Sequence, residues 1–372
     1  MMTNPLHILQ VFASLNMGGA ECRMMDVYRN ADRTEIQFDF VTLTPEKQYF
    51  EDEIQNLGGK VYKLKSPREI GFIKHINEIR SCIKRNNYDV VHAHTSYHCG
   101  IVMLAAWLEH VPVRISHART TGSQSKSKGK TVLLVLGRVL INLFATKKLA
   151  ISNAAGRYVF GNHKYEVLPN AIDIDKYQGV DKAEIDTLRS ELGLNISDFV
   201  IGQIGRFDPM KNHEFTVKWF KQFLEVEHRA KIIFIGDGQL REGINELVAS
   251  MDISNRVIFT GARNDVYKMI HLLDVLFFPS IFEGLGGVAI EAQAVGIPVV
   301  ESNTVPIETD MGLGLVQRIA LNAGLSDWTN AVLKSKELSR PSYKQINVMF
   351  KKNKYILSST INRLTELYKG QK

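Results

Sequence analysis

The sequence predicts an α/β protein made of two doubly wound parallel-sheet domains. Three observations carry that prediction. The chain has 372 residues, which at roughly 100–200 residues per domain gives two. Its composition, 45% hydrophobic and 23% charged, is that of an ordinary globular protein and excludes disordered, collagen-like and disulfide-scaffold classes. Short apolar, β-rich runs alternate with helical patterns from end to end. Strands apolar on both faces belong to parallel sheets covered by helices on both sides.

In the first half the strand patterns fall at 6–12, 38–43, 60–64, 90–94, 113–117 and 149–152. In the second half they fall at 200–205, 232–236, 257–260, 275–279 and 298–301. Between the halves, Pro169-Asn170 breaks the last strand of the first domain. A polar stretch containing Gly179 follows, and a helical pattern begins near Lys182. The expected division is 1–178 and 179–350, with 351–372 a C-terminal helix crossing back to the first domain.

Three cysteines, Cys22, Cys82 and Cys99, show no CxxC spacing. This suits a reducing cytoplasm better than a disulfide frame or zinc ribbon. The longest apolar run, 131–146, is 16 residues and contains Arg138, short of the roughly 20 apolar residues a spanning helix needs. The N-terminus lacks the basic region of a signal peptide. The net charge of +7 lies entirely in residues 1–180, since 181–372 balance to zero. Between 111 and 160 there are nine basic residues and no acidic one. Such a patch points to a polyanionic partner: anionic lipid, a phosphorylated substrate or nucleic acid. No aromatic-and-basic interleaving or known module supports nucleic acid. Around 131–146, Leu133, Leu136, Leu140 and Phe144 have the helical spacing of a core-facing stripe, and the flanking lysines suit a membrane surface.

In open α/β sheets, ligands bind at the carboxyl ends of the strands, and three motifs lie there. Gly18-Gly19-Ala20-Glu21 follows the first strand. Its glycines let backbone N–H groups approach a phosphate, although the third glycine of the dinucleotide fingerprint is missing. Gly205-Arg206-Phe207-Asp208-Pro209-Met210-Lys211 follows the first strand of the second half. It offers an Arg fork and a Lys point charge to a diphosphate. Glu283-Gly284-Leu285-Gly286-Gly287 follows the strand ending near Pro279 and opens a helix carrying Glu291. The backbone N–H groups of Leu285, Gly286 and Gly287 suit a diphosphate, and each carboxylate can accept two hydroxyls.

Two patterns resemble metal sites. Asp173-Ile174-Asp175 is a DxD, but it lies in the linker and reads as helix-capping carboxylates. His92 and His94 share one strand face, with His98 and Cys99 nearby, yet no third ligand has zinc-site spacing. No metal is expected.

These motifs, with VHAH (91–94), RISHAR (114–119), SNAAG (152–156), PNAID (169–173), GDGQL (236–240), FTGARNDV (259–266) and EAQAVGIPVV (291–300), make the chain resemble a retaining glycosyltransferase of family 4. More narrowly, it is similar to the bacterial exopolysaccharide and capsule enzymes. The resemblance implies the GT-B architecture, two facing Rossmann-like domains with a central cleft. The first would bind acceptor and the second the nucleotide-sugar donor. It assigns donor-sugar hydroxyls to Glu283, the ribose to Glu291, and the donor diphosphate to Arg206 and Lys211. Gly19 would face the distal phosphate, and Gly18 and the loop from Gly284 to Gly287 would contact the donor. Arg263 falls where the family holds the base. His117 falls beside the donor sugar at the reaction centre, and the acceptor side is assigned to His94, Arg119 and Lys126. Gly286-Gly287 departs from the usual apolar or Pro residue at this position, which weakens any inference about the donor sugar.

The implied reaction is metal-independent, cofactor-free transfer of a hexosyl group from a UDP-sugar to a polyprenyl-diphosphate-linked glycan. The implied location is cytoplasmic, peripheral at the inner face of the cell membrane. A homodimer is compatible with this. A nucleotide-sugar 2-epimerase and an inactive partner subunit share the architecture. The GRFDPMKN and EAQA motifs favour transfer over the first. Retention of Arg206, Lys211, Glu283 and Glu291 argues against the second.

Overall fold

The structure is a computed structural model that describes residues 5–120, 122 and 128–370. It divides into two compact units, Met1–Ile172 with Lys354–Lys372, and Asp173–Asn353. The sequence reading placed the division six residues later.

Unit one contains β1 (Leu6–Val11), β2 (Ile36–Thr42), β3 (Val61–Lys63), β4 (Val90–Ala93), β5 (Val113–Ala118), β6 (Lys147–Ala150) and β7 (Glu166–Val167). The strands are all parallel, in the order β3-β2-β1-β4-β5-β6-β7. The chain moves outward one way from β1 to β3, then returns to place β4 on the other side of β1. The switch point therefore lies between β1 and β4, where open α/β sheets form their ligand crevice. The helix Leu357–Tyr368 belongs to this unit, where Leu364, Leu367 and Tyr368 join the core beside Phe38, Phe40 and Tyr28. A parallel bridge between Ile172 and Ile356 anchors its start.

Unit two contains β8 (Phe199–Ile204), β9 (Ala230–Ile235), β10 (Val257–Gly261), β11 (Val275–Phe278), β12 (Val299–Ser302) and β13 (Val316–Ile319). They are also parallel, in the order β10-β9-β8-β11-β12-β13. Here the switch point lies between β8 and β11. Strands β8 and β11 are buried along their whole length, as expected for central strands covered on both faces. The core on one side is aromatic: Trp219 stacks on Phe277 at 4.0 Å between ring centroids, and Trp328 meets the same ring at 5.2 Å.

Two strands were not anticipated. β7 is only two residues long, and β13 is a half-buried edge strand, VQRI, whose polar positions break the apolar run. The helix Lys128–Phe144 corrects one core assignment. Ile141 is fully buried and Gly137 packs tightly against Gly100, but Leu136 lies on the opposite, exposed side. Burial follows the glycine contact because it lets the two helix backbones approach closely; a Cβ on Gly100 would come within 2.6 Å of the Gly137 carbonyl. No helix among the described residues is long and apolar enough to cross a membrane.

Candidate active site

In unit two the switch point gathers the loop after β8 and the loop after β11. Asp208 shapes the first loop by accepting from the backbone N–H of Met210 at 2.9 Å and of Lys211 at 3.3 Å, which caps the short turn Pro209–Lys211. The buried Gln203 of β8 donates to the Lys211 carbonyl at 2.6 Å. Asn212, in left-handed backbone at φ 59°, donates to the Pro279 carbonyl at 3.2 Å. The Ile281 N–H reaches the Met210 carbonyl at 2.8 Å. The two loops are thus stitched together by side chains and backbone.

This stitching brings Lys211 Nζ to 2.6 Å from Glu283 Oε1, with the ammonium 4.9 Å over the Phe278 ring. Both partners are largely shielded, so the pair is poorly screened. Arg206 projects into solvent from the same loop. Gly286, at φ 89°, caps the helix Gly287–Ala294. A side chain there would press on Thr309, Val305 and Phe278 at 3.0–3.2 Å, so glycine serves both conformation and space. The helix opens beside Glu283 and Lys211 with the N–H groups that a first turn leaves without intrahelical acceptors. Glu291 lies within that helix, half-buried. Leu285 and Gly286 are buried, and Gly284 is partly so.

Arg263 forms a bidentate pair with Asp265, at 2.7 and 2.6 Å. Its guanidinium is held in place but is already engaged, so any contact with a base runs beside this pair. The sequence reading missed Glu301, at the end of β12. It is completely buried, and burial pushes its carboxyl up to about 7 despite Arg318 at 2.7 Å and the Thr309 hydroxyl at 3.0 Å. Its neighbours Ser302 and Thr304 bond the Ser280 carbonyl, and so hold the peptide from which the 281–286 loop departs. Only the run of polar residues after an apolar strand signals this in the sequence.

In unit one, Gly18 caps the helix Gly19–Asn30. A side chain on Gly18 would collide with the Glu21 carboxylate, whereas one on Gly19 would meet nothing within 4 Å. His94, His117 and Arg119 sit at the ends of β4 and β5. Lys126 lies outside the described residues. His117 is buried, with Nδ1 at 3.1 Å from His92 Nε2, and His94 bonds Gln10 at 2.9 Å and Arg119 at 3.1 Å.

The third imidazole that spacing did not reveal thus comes from a neighbouring strand. The ligand atoms of His92, His94 and His117 lie within 4.8 Å of one another. A cation there would have to replace the His92–His117 bond and would lie beside the Arg119 guanidinium. His98 turns away instead, to His75 at 2.8 Å and Thr95 at 2.9 Å. Of the DxD pair, Asp173 accepts from the Lys176 N–H and caps the helix Ile174–Gln178, the role its linker position indicated.

Two parallel-sheet units of this topology, each presenting polar loops at its switch point, define the GT-B class of glycosyltransferase fold. The UDP complex of HepE from Anabaena has the same fold, with a TM-score of 0.79, 18% identity and coverage of 98% of this chain and 100% of that one. Residues 17–176 match the model of Glycosyltransferase Family 4 and residues 184–311 that of Glycosyl transferases group 1. The Bacillus subtilis protein named as the glycosyltransferase EpsF is 31% identical over 99% of this chain and 97% of its own. The chain belongs to glycosyltransferase family 4. CapH of Staphylococcus aureus, a capsular polysaccharide biosynthesis glycosyltransferase, is 26% identical over 80% of this chain and 81% of its own. The Escherichia coli UDP-Gal:α-D-GlcNAc-diphosphoundecaprenol α-1,3-galactosyltransferase is 28% identical over 63% of this chain and 64% of its own.

Proposed function

We propose that this glycosyltransferase moves a hexosyl group from a UDP-sugar to a polyprenyl-diphosphate-linked glycan in capsule or exopolysaccharide synthesis, with retention at the anomeric carbon. The observation that carries this reading is the Lys211–Glu283 pair at the unit-two switch point, 2.6 Å apart and beside the opening of the helix Gly287–Ala294. That arrangement sets a cation and a helix N-terminus for a diphosphate next to a carboxylate for sugar hydroxyls. Glu291 serves the ribose. The UDP bound to HepE and the lipid-linked acceptor named for the Escherichia coli relative support the substrate classes.

In the proposed step the bond from C1 to the diphosphate oxygen breaks, and the acceptor hydroxyl attacks C1 on the same face. Its proton passes to the departing phosphate oxygen. Charge grows on the diphosphate as C1 becomes oxocarbenium-like, and Arg206, Lys211 and the helix N-terminus stabilise that charge. The same groups neutralise the diphosphate without a divalent ion. Incubation with a panel of nucleotide sugars, with and without EDTA, tests both points. Release of UDP from one sugar, unchanged in chelator, is expected. Turnover abolished by EDTA and restored by Mg²⁺ or Mn²⁺ would overturn metal independence. Turnover of no UDP-sugar would overturn the donor class.

The basic region of unit one supports a peripheral position on an anionic membrane. On the helix Lys128–Phe144, Val132, Val135, Leu136, Val139 and Leu143 form one apolar stripe, each at least half exposed. The flanks, including Lys147 and Lys148, carry positive charge only. An apolar face bordered by cations suits a headgroup boundary. Changing Leu136 and Val139 together to Ser should weaken sedimentation with anionic vesicles by tenfold or more, since each buried side chain contributes about 1.5–3 kcal/mol. Turnover on a soluble acceptor should be spared. Unchanged sedimentation would remove the membrane from this reading.

A further inference from the structure

Six side chains of unit one form an unbranched hydrogen-bonded chain through the ends of β1, β4 and β5. Arg119 Nε lies 3.1 Å from His94 Nδ1, and His94 Nε2 lies 2.9 Å from Gln10 Oε1. Gln10 Nε2 is 3.2 Å from the Tyr368 hydroxyl, which is 2.9 Å from His92 Nδ1. His92 Nε2 is 3.1 Å from His117 Nδ1. Beyond it, His117 Nε2 is buried and has no hydrogen-bond partner among the described residues. The backbone of Leu168 lies beside it without hydrogen-bonding geometry. His117 also lines a small cavity shared with Arg23, Arg119, Asn170 and Thr360.

The direction of the bonds follows from Arg119 at one end and from the need of the buried Tyr368 O–H for an acceptor. Arginine only donates, so His94 Nδ1 accepts and its proton is on Nε2. That N–H requires the oxygen of Gln10, not its NH₂, because a neutral imidazole has only one donor. The Gln10 NH₂ therefore donates to the Tyr368 oxygen, and the Tyr368 O–H points to His92 Nδ1. His92 then carries its proton on Nε2 and donates to His117 Nδ1. His117 is left with its proton on Nε2. The reverse assignment, in which the Tyr368 oxygen accepts from both Gln10 and His92 Nδ1–H, makes the same five bonds but leaves the buried Tyr368 O–H with no acceptor in the chain of bonds, a cost of about 1–3 kcal/mol.

We propose that this chain of bonds locks His117 as the Nε2–H tautomer, so that it offers a hydrogen-bond donor and not a base to a sugar hydroxyl oxygen. Gln10, His92, His94, Arg119 and Tyr368 are positioning residues for that donor. The ligand in this statement rests on the transfer reading above, but the tautomer does not. Burial, with the Arg119 cation adding to it, holds all three imidazoles well below their ordinary range, which keeps them neutral. Burial lowers Arg119 only to about 10, so the cation that sets the direction persists at neutral pH. The helix Leu357–Tyr368 supplies the central hydroxyl, which gives the C-terminal segment a role in the site as well as in the core.

Nitrogen NMR of the full chain labelled in histidine tests the tautomer without any substrate. His117 should show a protonated Nε2 and an unprotonated Nδ1. A protonated Nδ1, or an even mixture, would overturn the proposal. Two variants then separate positioning from packing. His92→Gln keeps an acceptor for Tyr368 and a donor for His117, so kcat should stay within about threefold. His92→Leu keeps the bulk but breaks the chain, so kcat should fall about tenfold, the value of one hydrogen bond. The His117 nitrogen signals should become a mixture. Equal kcat in the two variants, or unmoved His117 signals in His92→Leu, would reduce the network to a structural one. Comparing KM for donor and acceptor in His92→Leu shows which sugar the donor serves. If no UDP-sugar is turned over, the NMR result still decides the tautomer, and the failure belongs to the transfer reading.

Discussion

Replacing Lys211 with alanine is expected to lower kcat roughly 10³-fold and to raise KM for the nucleotide sugar. One preorganised donor to a developing anion is worth roughly 10²–10³ in rate. The structure adds a second penalty. Lys211 Nζ is 2.6 Å from Glu283 Oε1, and the Glu283 side chain is only 11% exposed. Without the ammonium, the Glu283 carboxylate loses the positive charge beside it, and its repulsion of an incoming diphosphate is poorly screened in a shielded site. The same loss should cost about 1–3 kcal/mol of stability, because a shielded carboxylate has lost its ion pair with Lys211. Nucleotide release should therefore be measured well below the unfolding midpoint of the variant. Turnover within fivefold of the unmodified chain would show that Lys211 is a loop-stabilising cation and not a leaving-group contact.

Much of this site was legible because it is local in sequence. Each loop at the unit-two switch point follows a strand and contains its own glycines and charges. The pairing of Glu283 and Glu291 with a glycine-rich helix start needs no tertiary knowledge, and neither does the capping role of Asp173. What was not legible depends on neighbours distant in the chain. His92 and His94 read as a pair without a third member because His117 is contributed by the next strand, and Tyr368 lies 276 residues from His92. Glu301 looked like the end of an ordinary strand, and only the fold shows it buried against Thr309 and Arg318. Leu136 had the spacing of a core residue, but a helix with apolar residues on more than one face does not declare which one packs. The contact of Gly137 with Gly100 decides that. Edge strand β13 escaped notice because solvent on one side permits Gln317 and Arg318 within it.

Gly236→Ala is expected to cost about 2–6 kcal/mol and to remove most activity, although residue 236 carries no functional group. Strands β8 and β9 are paired up to Ile204 and Ile235, and the chain leaves both at glycine. Gly236 has φ 146°, outside the range other residues adopt readily. An added Cβ would fall on the Gly205 carbonyl oxygen and within 2.8 Å of its carbon. Those atoms are backbone and cannot swing aside as a flexible side chain does. Strained backbone of this kind costs about 1–3 kcal/mol, and overpacking adds about 1–3 kcal/mol. Relief requires the chain at 205 to move, which carries Arg206 and Lys211 with it. The loops are further tied by the Phe207 N–H to the Asp237 carbonyl at 3.0 Å and the Leu240 N–H to the Phe207 carbonyl at 3.1 Å, so the shift spreads along the loop. A displacement of about 1 Å in positioning groups lowers rates by about 10²-fold. Gly243→Ala, in the helix Arg241–Ser250, provides the contrast. Its Cβ would meet nothing within 4 Å, so helix propensity alone should raise stability by about 0.5–1 kcal/mol and leave activity intact. Thermal unfolding and nucleotide release measured on both variants test the argument. Equal stability and activity in the two would show that the close approach of residues 205 and 236 does not set the position of the cationic loop.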